Sequence, residues 1–448
     1  MEESDWSSDV CSSDLPSGGP RAVQPFELVF TADEPRRPQQ AGRGHGAAGG
    51  QPRGTTLDRG HQFDGLGGRA RAEFVLARVP QARELAAAAR IAAEHATPRE
   101  RSHVNALCLS IEGKGVEALA ATREHLVEWP RDAMVLAPAT SVFGLIGFSG
   151  RQEREPEQLA LLEPLEPLLG GDWWFDAVHA FALEECGQLA RARALIERSL
   201  SINPRNAHAA HILAHVLYEQ GEDGASLAFL ERWMSDYPRE GMMHCHLSWH
   251  VAMAALAIGD NDRAWSVYQA QVHPGASWGP PINTLTDSAA FLWRAELAGA
   301  PRRADLWRQL GRYADERFAA PGLAFVDTHL ALTRAATGGD VAGLVAALRQ
   351  RDEEGKSPAG GVVERLAEGF AAFERVDDEA AIEALTAALP QTVRIGGSRA
   401  QRDLAVNTLL AVYLRTGRQA DPRALIAQRE GRQPAVPVAG WAALATPA

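Results

Sequence analysis

The chain has 448 residues, of which 46% are hydrophobic and 23% are charged, so it is long enough to bury a large core. Its formal net charge of −12 at pH 7 argues against nucleic acid as a partner, because phosphate binding needs a basic surface. The run of roughly 18 apolar residues that a membrane helix requires is missing, which predicts no membrane partner.

The N-terminal part of the chain has an unusual composition. The run from Trp6 to Leu15 reads WSSDVCSSDL, and its back-translation matches a common sequencing-adapter primer. We therefore expect residues 1–15 to be an assembly artefact and exclude them from the fold. Residues 16–69 are rich in Gly, Pro, Arg and Gln and keep no helical or strand period. This composition predicts a disordered segment or a frameshifted stretch that carries no function.

The rest of the chain is dominated by helix-forming residues. From Ala70 onward Ala, Leu, Glu and Arg prevail, Gly or Pro interrupts them at intervals, and no alternating strand pattern competes. This pattern predicts an all-α protein, with its helices between residues 70 and 430. Residues 431–448 are expected to form a C-terminal tail.

Two stretches of the helical region repeat each other. Gly187 and Gly221 are 34 residues apart, as are Pro204 and Pro238, and this is the tetratricopeptide period. Gly supplies the backbone conformation that a turn between two helices needs, and each helix pair leaves an apolar face that only its neighbour can cover. The repeat therefore predicts an α-solenoid of tetratricopeptide-like helix pairs over residues 70–430. Further turns between helices are predicted at Gly113, Gly259, Gly299, Gly338 and Gly417.

Polar residues on the inward face of the solenoid are the candidates for function. The first helix of each pair lines the concave surface, and His211, His215 and Glu219 recur every four residues along one such helix. Two histidines at this spacing can share a metal ion or a proton network. The candidate groove residues are Glu184, Glu185, His208, His211, His215, Glu219, His246, Trp249, His250, Asp287, His329 and Arg402.

These residues leave three functions open. The groove binds a peptide or a small ligand, or it performs acid–base or metal-assisted chemistry on a small molecule, or it is a purely structural polar network. No nucleophile stands out, the HExxH motif is absent, and no glycine-rich nucleotide-binding motif lies at a strand-to-helix turn. The sequence therefore assigns no catalytic residue, no metal ligand and no cofactor, and the partner is an unspecified protein, peptide or small molecule.

Two smaller features complete the predictions from individual residues. The four cysteines are scattered without CxxC spacing, which favours a reducing compartment and a cytoplasmic location. Ser398 is expected to cap a late helix, and Arg402 and Asp403 on that helix can pair with the acids of the groove.

Several short motifs, taken in order along the chain, resemble the tetratricopeptide repeat protein 38 family. They are HVNA from His103, PRD from Pro130, EExG from Glu184, HxxxHVxxE from His211, WH from Trp249 and AQRD from Ala400. The resemblance covers about residues 75–430 and implies a helical-repeat fold in a soluble protein. It implies no settled activity, so it carries over no catalytic residue. The chain departs from the family's pattern before residue 70, where the family has further helices.

Overall fold

The computed structural model describes residues 56–75, 78–418, 420–427 and 436–445. Within these ranges every regular element is a helix, so the predicted all-α class is confirmed. Residues 1–15 and most of the segment 16–69 lie outside the described residues. None of the described helices combines the length and the apolar character that a membrane span requires.

The helices follow one another with short connections. The first are α1 (Thr56–Val75), α2 (Val79–Ala93), α3 (Pro98–Ile111), α4 (Gly115–Glu128), α5 (Ala133–Thr140), α6 (Arg154–Leu162) and α7 (Glu166–Leu169). The central ones are α8 (Trp173–Glu185), α9 (Leu189–Ile202), α10 (Ala207–Glu219), α11 (Asp223–Met234), α12 (His244–Ala257) and α13 (Asn261–Val267).

The remaining helices complete the described chain. They are α14 (Pro281–Leu297), α15 (Ala304–Arg317), α16 (Ala324–Thr337), α17 (Val341–Glu353), α18 (Val362–Glu374), α19 (Asp378–Ala388), α20 (Arg399–Arg415), α21 (Ala420–Ala427) and α22 (Trp441–Ala445). Two short 3-10 segments, Glu163–Leu165 and Leu389–Ile395, and one π-helical segment, Tyr268–Val272, extend their neighbours.

Glycines in the left-handed conformation form the turns within the helix pairs. Gly187 has φ 76° and Gly221 has φ 72°. The amide that follows each glycine donates back to the preceding helix, from Gln188 to the Leu183 oxygen and from Glu222 to the Leu217 oxygen, each at 2.8 Å. These bonds satisfy carbonyl groups at the helix end. Positive φ also occurs at Gly113, Gly259, Gly299, Gly338 and Gly417, so the predicted turn positions are confirmed.

Small residues and one tryptophan hold successive helices together. Ala192 and Ser226 lie five residues after the two turn glycines and are 0% and 4% exposed, so the second helix of each pair closely approaches its neighbours. The Trp233 indole N–H donates to the Pro204 carbonyl at 2.8 Å and joins two consecutive units. Much of the apolar core is one large cluster, to which helices from α10 to α22 contribute.

The late helix α20 packs against helices from earlier parts of the chain. It packs against α10 and α14, and the Trp293 indole N–H of α14 donates to Thr408 Oγ1 of α20 at 2.9 Å. The Arg294 guanidinium, also on α14, donates to the Ala400 carbonyl oxygen at 2.6 Å. A late part of the chain thus packs beside α10, one of the helices that carry the predicted groove residues.

Both ends of the described chain differ from the predicted boundaries. Helix α1 begins at Thr56, ahead of the boundary predicted at Ala70, and packs against α2. Ala70 is 0% exposed, and Leu66 packs against the same apolar cluster. The glycines in this helix lower its intrinsic helix propensity, so packing rather than local preference accounts for it.

The C-terminal segment also packs against the body. Val438 and Trp441 are 5% and 9% exposed and belong to the large core cluster. The Ala439 amide donates to the Leu297 carbonyl at 2.8 Å and satisfies an orphan group at the end of α14. Residues 436–445 are therefore packed structure, whereas the sequence predicts a tail there.

We expect Gly221→Val to lower the free energy of unfolding by more than about 1 kcal/mol, because a β-branched residue is strained at φ 72°. The matched control is Gly224→Ala in α11, where a methyl group meets no atom within 4 Å and a helix gains intrinsic stability. Urea unfolding of both variants provides the test. Equal stability of the two variants would contradict the assignment of Gly221 to a left-handed turn.

Candidate functional site

Four buried histidines from two neighbouring helices meet at one place. The four-histidine cluster consists of His211 and His215 on α10 and His246 and His250 on α12. Their side chains are between 0% and 8% exposed, and one imidazole nitrogen from each lies within 4.8 Å of the others. The His211 Nε2 atom is 2.8 Å from His215 Nε2 and 3.0 Å from His246 Nε2.

Helical spacing and the repeat together build this cluster. Within each helix the two histidines are four residues apart and therefore lie on one face. His246 and His250 follow His211 and His215 by 35 residues each, so adjacent first helices present the same pair of positions to each other. The Asn206 side chain accepts from the amides of His208 and Ala209 and fixes the start of α10.

Asp287 and Trp249 fix the orientation of His246. The His246 Nδ1 atom lies 3.0 and 2.9 Å from the two oxygens of Asp287, a buried carboxyl on α14. The Trp249 indole stacks on the imidazole with ring centroids 5.3 Å apart and an interplanar angle of 9°. The ring therefore has one nitrogen bound to Asp287 and the other directed at the cluster.

Burial favours the neutral form of three histidines of this cluster, His211, His215 and His250. It lowers the pKa of His215 to about 3, and the charges of His246 and Arg402 act in the same direction. Burial, followed by the other histidines, also holds the pKa values of His211 and His250 well below their ordinary range. Neutral imidazole is the form that carries a free lone pair.

A carboxyl pair adjoins the cluster on the side of α8. Glu184 and Glu185 each place an oxygen within 4.8 Å of a His215 nitrogen. Glu184 is 0% exposed, and neither of its oxygens has a hydrogen-bond partner among the described residues. Burial raises the pKa of Glu184 well above its usual value, and the charges of Glu185 and Glu219 raise it further. Both effects favour the protonated form of Glu184.

Arg402 pairs with acids from two other helices. Its guanidinium contacts Glu185 at 3.3 Å and also donates to Glu155 of α6. Although burial disfavours the charged form of Glu185, Arg402 keeps the pKa of this carboxyl below its usual value. We call Glu155, Glu185 and Arg402 the arginine–glutamate cluster. Ser398 caps α20 in a capping box with Gln401, so the predicted cap is confirmed.

Three candidates from the sequence occupy more peripheral positions. Glu219 lies 4.0 Å from the guanidinium of Arg399. The backbone amide of the same arginine donates to Glu185 at 3.0 Å. His208 is exposed at the start of α10, and its charge is a minor contribution to the lowered pKa of His211. His329 is 2% exposed, but its Nδ1 atom contacts the Phe325 carbonyl at 2.8 Å, outside the cluster.

A second buried polar group lies near the N-terminal helices. The Asp132 Oδ2 atom lies 2.9 Å from His103 Nδ1 and 3.1 Å from His125 Nε2, and Oδ1 accepts from the Val135 amide at 3.3 Å. Burial opposes ionisation of Asp132, but the two histidines hold its pKa far below its usual value. Both carboxylate oxygens are satisfied within the protein, which is typical of a structural network.

The sequence indicates the histidines and acids of the central helices but not all their partners. Glu155 and Arg399 enter the site from α6 and from the start of α20, far away in sequence, and no local pattern marks them. Among the residues that the structure describes, three groups are able to hold a metal ion: the four-histidine cluster, the Glu184–Glu185–His215 group and the His103–His125–Asp132 group. No protein-family model matches this chain, so its chemistry has to be inferred from these contacts.

Proposed function

We propose that this protein binds a small ligand at the enclosed site between α8, α10, α12 and α20. The observation that carries the proposal is Glu184, a fully buried carboxyl whose two oxygens lack a hydrogen-bond partner among the described residues. Leaving such a group unpaired costs on the order of 1–3 kcal/mol, so a natural protein retains it where a bound molecule uses it.

The burial of the surrounding residues favours a small molecule over a peptide. Glu184, Glu185 and the four histidines of the cluster are less than 10% exposed, and α20 packs against α10. A peptide needs an extended open surface along several repeats. The sequence leaves open whether the groove binds a peptide or a small ligand, and the burial of these residues favours the small ligand.

An acid–base enzyme is the second candidate. The specific observation in its favour is that Glu184 and His215, a carboxyl and an imidazole, lie within 4.8 Å of each other in a buried site. Such pairs serve as proton donor and acceptor when a substrate lies between or beside them. The same site can therefore bind a small molecule and exchange protons with it.

The arrangement of the helices and the cellular location of the protein are also proposals. We propose that the helix pairs form a tetratricopeptide-like α-solenoid, because the left-handed glycines and buried small residues recur at the tetratricopeptide period. A cytoplasmic location is proposed on the free cysteines Cys108, Cys186 and Cys245. Membership of the tetratricopeptide repeat protein 38 family stays a prediction.

Native mass spectrometry of the purified full chain tests the binding function. We expect wild-type protein to retain a small molecule and Glu184→Gln to reduce its occupancy at least tenfold. Ligand-free Glu184→Gln should melt close to ligand-free wild-type protein, because the amide has nearly the same shape as the carboxyl that it replaces. The control is Glu197→Gln, which changes a half-exposed residue on α9 and should keep the ligand. Equal retention by Glu184→Gln would contradict the proposal.

A further inference from the structure

The imidazole nitrogens of the four-histidine cluster cannot all form normal hydrogen bonds with one another. An imidazole nitrogen carries either one proton or one lone pair, so it makes one good hydrogen bond in the ring plane. The His211 Nε2 atom faces two such nitrogens, at 2.8 Å on His215 and at 3.0 Å on His246. In every tautomer, either one of these two contacts joins like groups, or both contacts share a single proton or a single lone pair.

The fourth histidine adds a further unmatched atom. His250 is 5% exposed, and its Nε2 atom has no hydrogen-bond partner among the described residues. Its ring centroid lies between 4.7 and 5.0 Å from those of the other three histidines. A cation at the centre resolves all of these contacts at once, because it accepts one lone pair from each nitrogen.

The surroundings of His246 match those of a metal ligand. Histidines that bind metal commonly donate their other ring N–H to a carboxylate, which fixes the tautomer and the ring orientation. Asp287 is placed to accept this bond from His246 Nδ1 at 2.9 Å, and Trp249 stacks on the ring. The His246 Nε2 lone pair is thereby directed at His211 and the centre of the cluster.

We propose that His211, His215, His246 and His250 together bind one divalent transition-metal ion of the zinc type. This inference rests on the proposed function, since it names the class of ligand that the same site takes. Imidazole nitrogens suit zinc, cobalt, nickel and copper, whereas magnesium and calcium prefer oxygen ligands. The ion binds between two HxxxH pairs, one from each of two adjacent first helices, as in other metal sites built between helices.

The distances are compatible with metal–nitrogen bonds after small side-chain shifts. With bonds of about 2.05 Å, ligand nitrogens are roughly 2.9 Å apart at an angle of 90° and roughly 3.3 Å apart in a tetrahedron. The two short contacts of His211 are 2.8 and 3.0 Å. The most distant ligand atoms are within 4.8 Å, so ring rotations bring all four into the first coordination sphere.

The His103–His125–Asp132 group provides an internal comparison. It has similar residue types and burial, but Asp132 already contacts both imidazoles and the Val135 amide. A metal ion there would have to displace satisfied hydrogen bonds. Of these two groups, only the four-histidine cluster has buried imidazole nitrogens without a hydrogen-bond partner, and only this cluster is proposed to bind metal.

Metal titration of the full-length protein tests the inference. The protein is treated with a chelator, dialysed and titrated with Co(II) and then Zn(II), with bound metal measured by elemental analysis. We expect one ion per chain, visible Co(II) absorption bands that reveal nitrogen ligation, and displacement of Co(II) by Zn(II). His250→Ala and His215→Ala should each weaken binding at least a hundredfold. His250→Phe preserves bulk if the alanine variant folds poorly, and it should weaken binding equally.

The matched control is His329→Ala, which removes an equally buried imidazole outside the cluster and should leave metal affinity unchanged. Asp287→Asn, a change at a positioning residue, should weaken Zn(II) binding about 10- to 100-fold and shift the Co(II) spectrum. No binding by wild-type protein, or unchanged stoichiometry and affinity in folded His250→Phe, overturns the inference. If the wild-type protein binds no metal but its native mass spectra still show a Glu184-dependent organic adduct, the metal site is wrong and the proposed function stands.

Discussion

Replacing Arg402 with methionine is expected to lower the free energy of unfolding by about 3–5 kcal/mol. Arg402 is 9% exposed and neutralises two acids, Glu155 and Glu185, that are largely shielded from water. Methionine fills much of the same volume but carries no charge, so the carboxylates lose their main partner in a poorly solvated place. The loss therefore reports the cost of leaving buried charges uncompensated rather than the cost of a cavity.

A shift of the urea midpoint measures this effect, and Arg349→Met is the matched control. The Arg349 side chain is 58% exposed and pairs with Glu364 and Glu368 on the surface, so its loss should cost less than about 1 kcal/mol. In addition, Glu155→Gln combined with Arg402→Met should recover part of the stability, because one uncompensated charge is removed. If Arg402→Met and Arg349→Met proved equally stable, the arginine–glutamate cluster would have no special role.

Local periodicity explains why the turns and part of the site can be predicted from sequence. Gly187 and Gly221 mark their turns because a left-handed conformation restricts the residue type at that position. His211 and His215 lie on one face because helix geometry alone fixes a four-residue spacing. Each of these inferences depends on residues within one or two helices, where sequence distance and spatial distance agree.

Long-range packing explains what the sequence does not reveal. Arg402 and Glu155 meet although 247 positions separate them in the chain, and no repeat period connects α6 with α20. The enclosure of the site depends on the same helix, because an array of repeats read from periodicity alone has an open concave face. The helix α1 is likewise determined by contacts with α2, since its glycines by themselves favour an irregular segment.

The second large effect concerns Trp293, which joins α14 to the helices that close the site. We expect Trp293→Ala to lower the free energy of unfolding by about 3–5 kcal/mol. The side chain is 1% exposed and packs against Trp307, Phe370 and Phe373, so truncation leaves a cavity among large rings. The same change removes the hydrogen bond to Thr408 on α20.

Two comparison variants separate these contributions, again by urea unfolding. Trp293→Phe keeps most of the ring packing and loses the indole N–H, so it should cost clearly less than the alanine variant. Trp278→Ala changes a tryptophan that is 57% exposed and should stay within about 0.5 kcal/mol of wild type. Equal losses in Trp293→Ala and Trp278→Ala would contradict the role assigned to this contact.

The position of Trp293 also connects stability to the site. Its neighbour Arg294 donates to the Ala400 and Gln401 carbonyls at the start of α20. Arg402 is the next residue of that helix. Loosening α20 from α14 therefore also loosens the partner of Glu185. We accordingly expect hydrogen exchange in Trp293→Ala to accelerate first in α20, because a segment that loses its packing opens before the whole protein unfolds. Uniform acceleration across all helices would instead mean that α20 does not open as a separate unit.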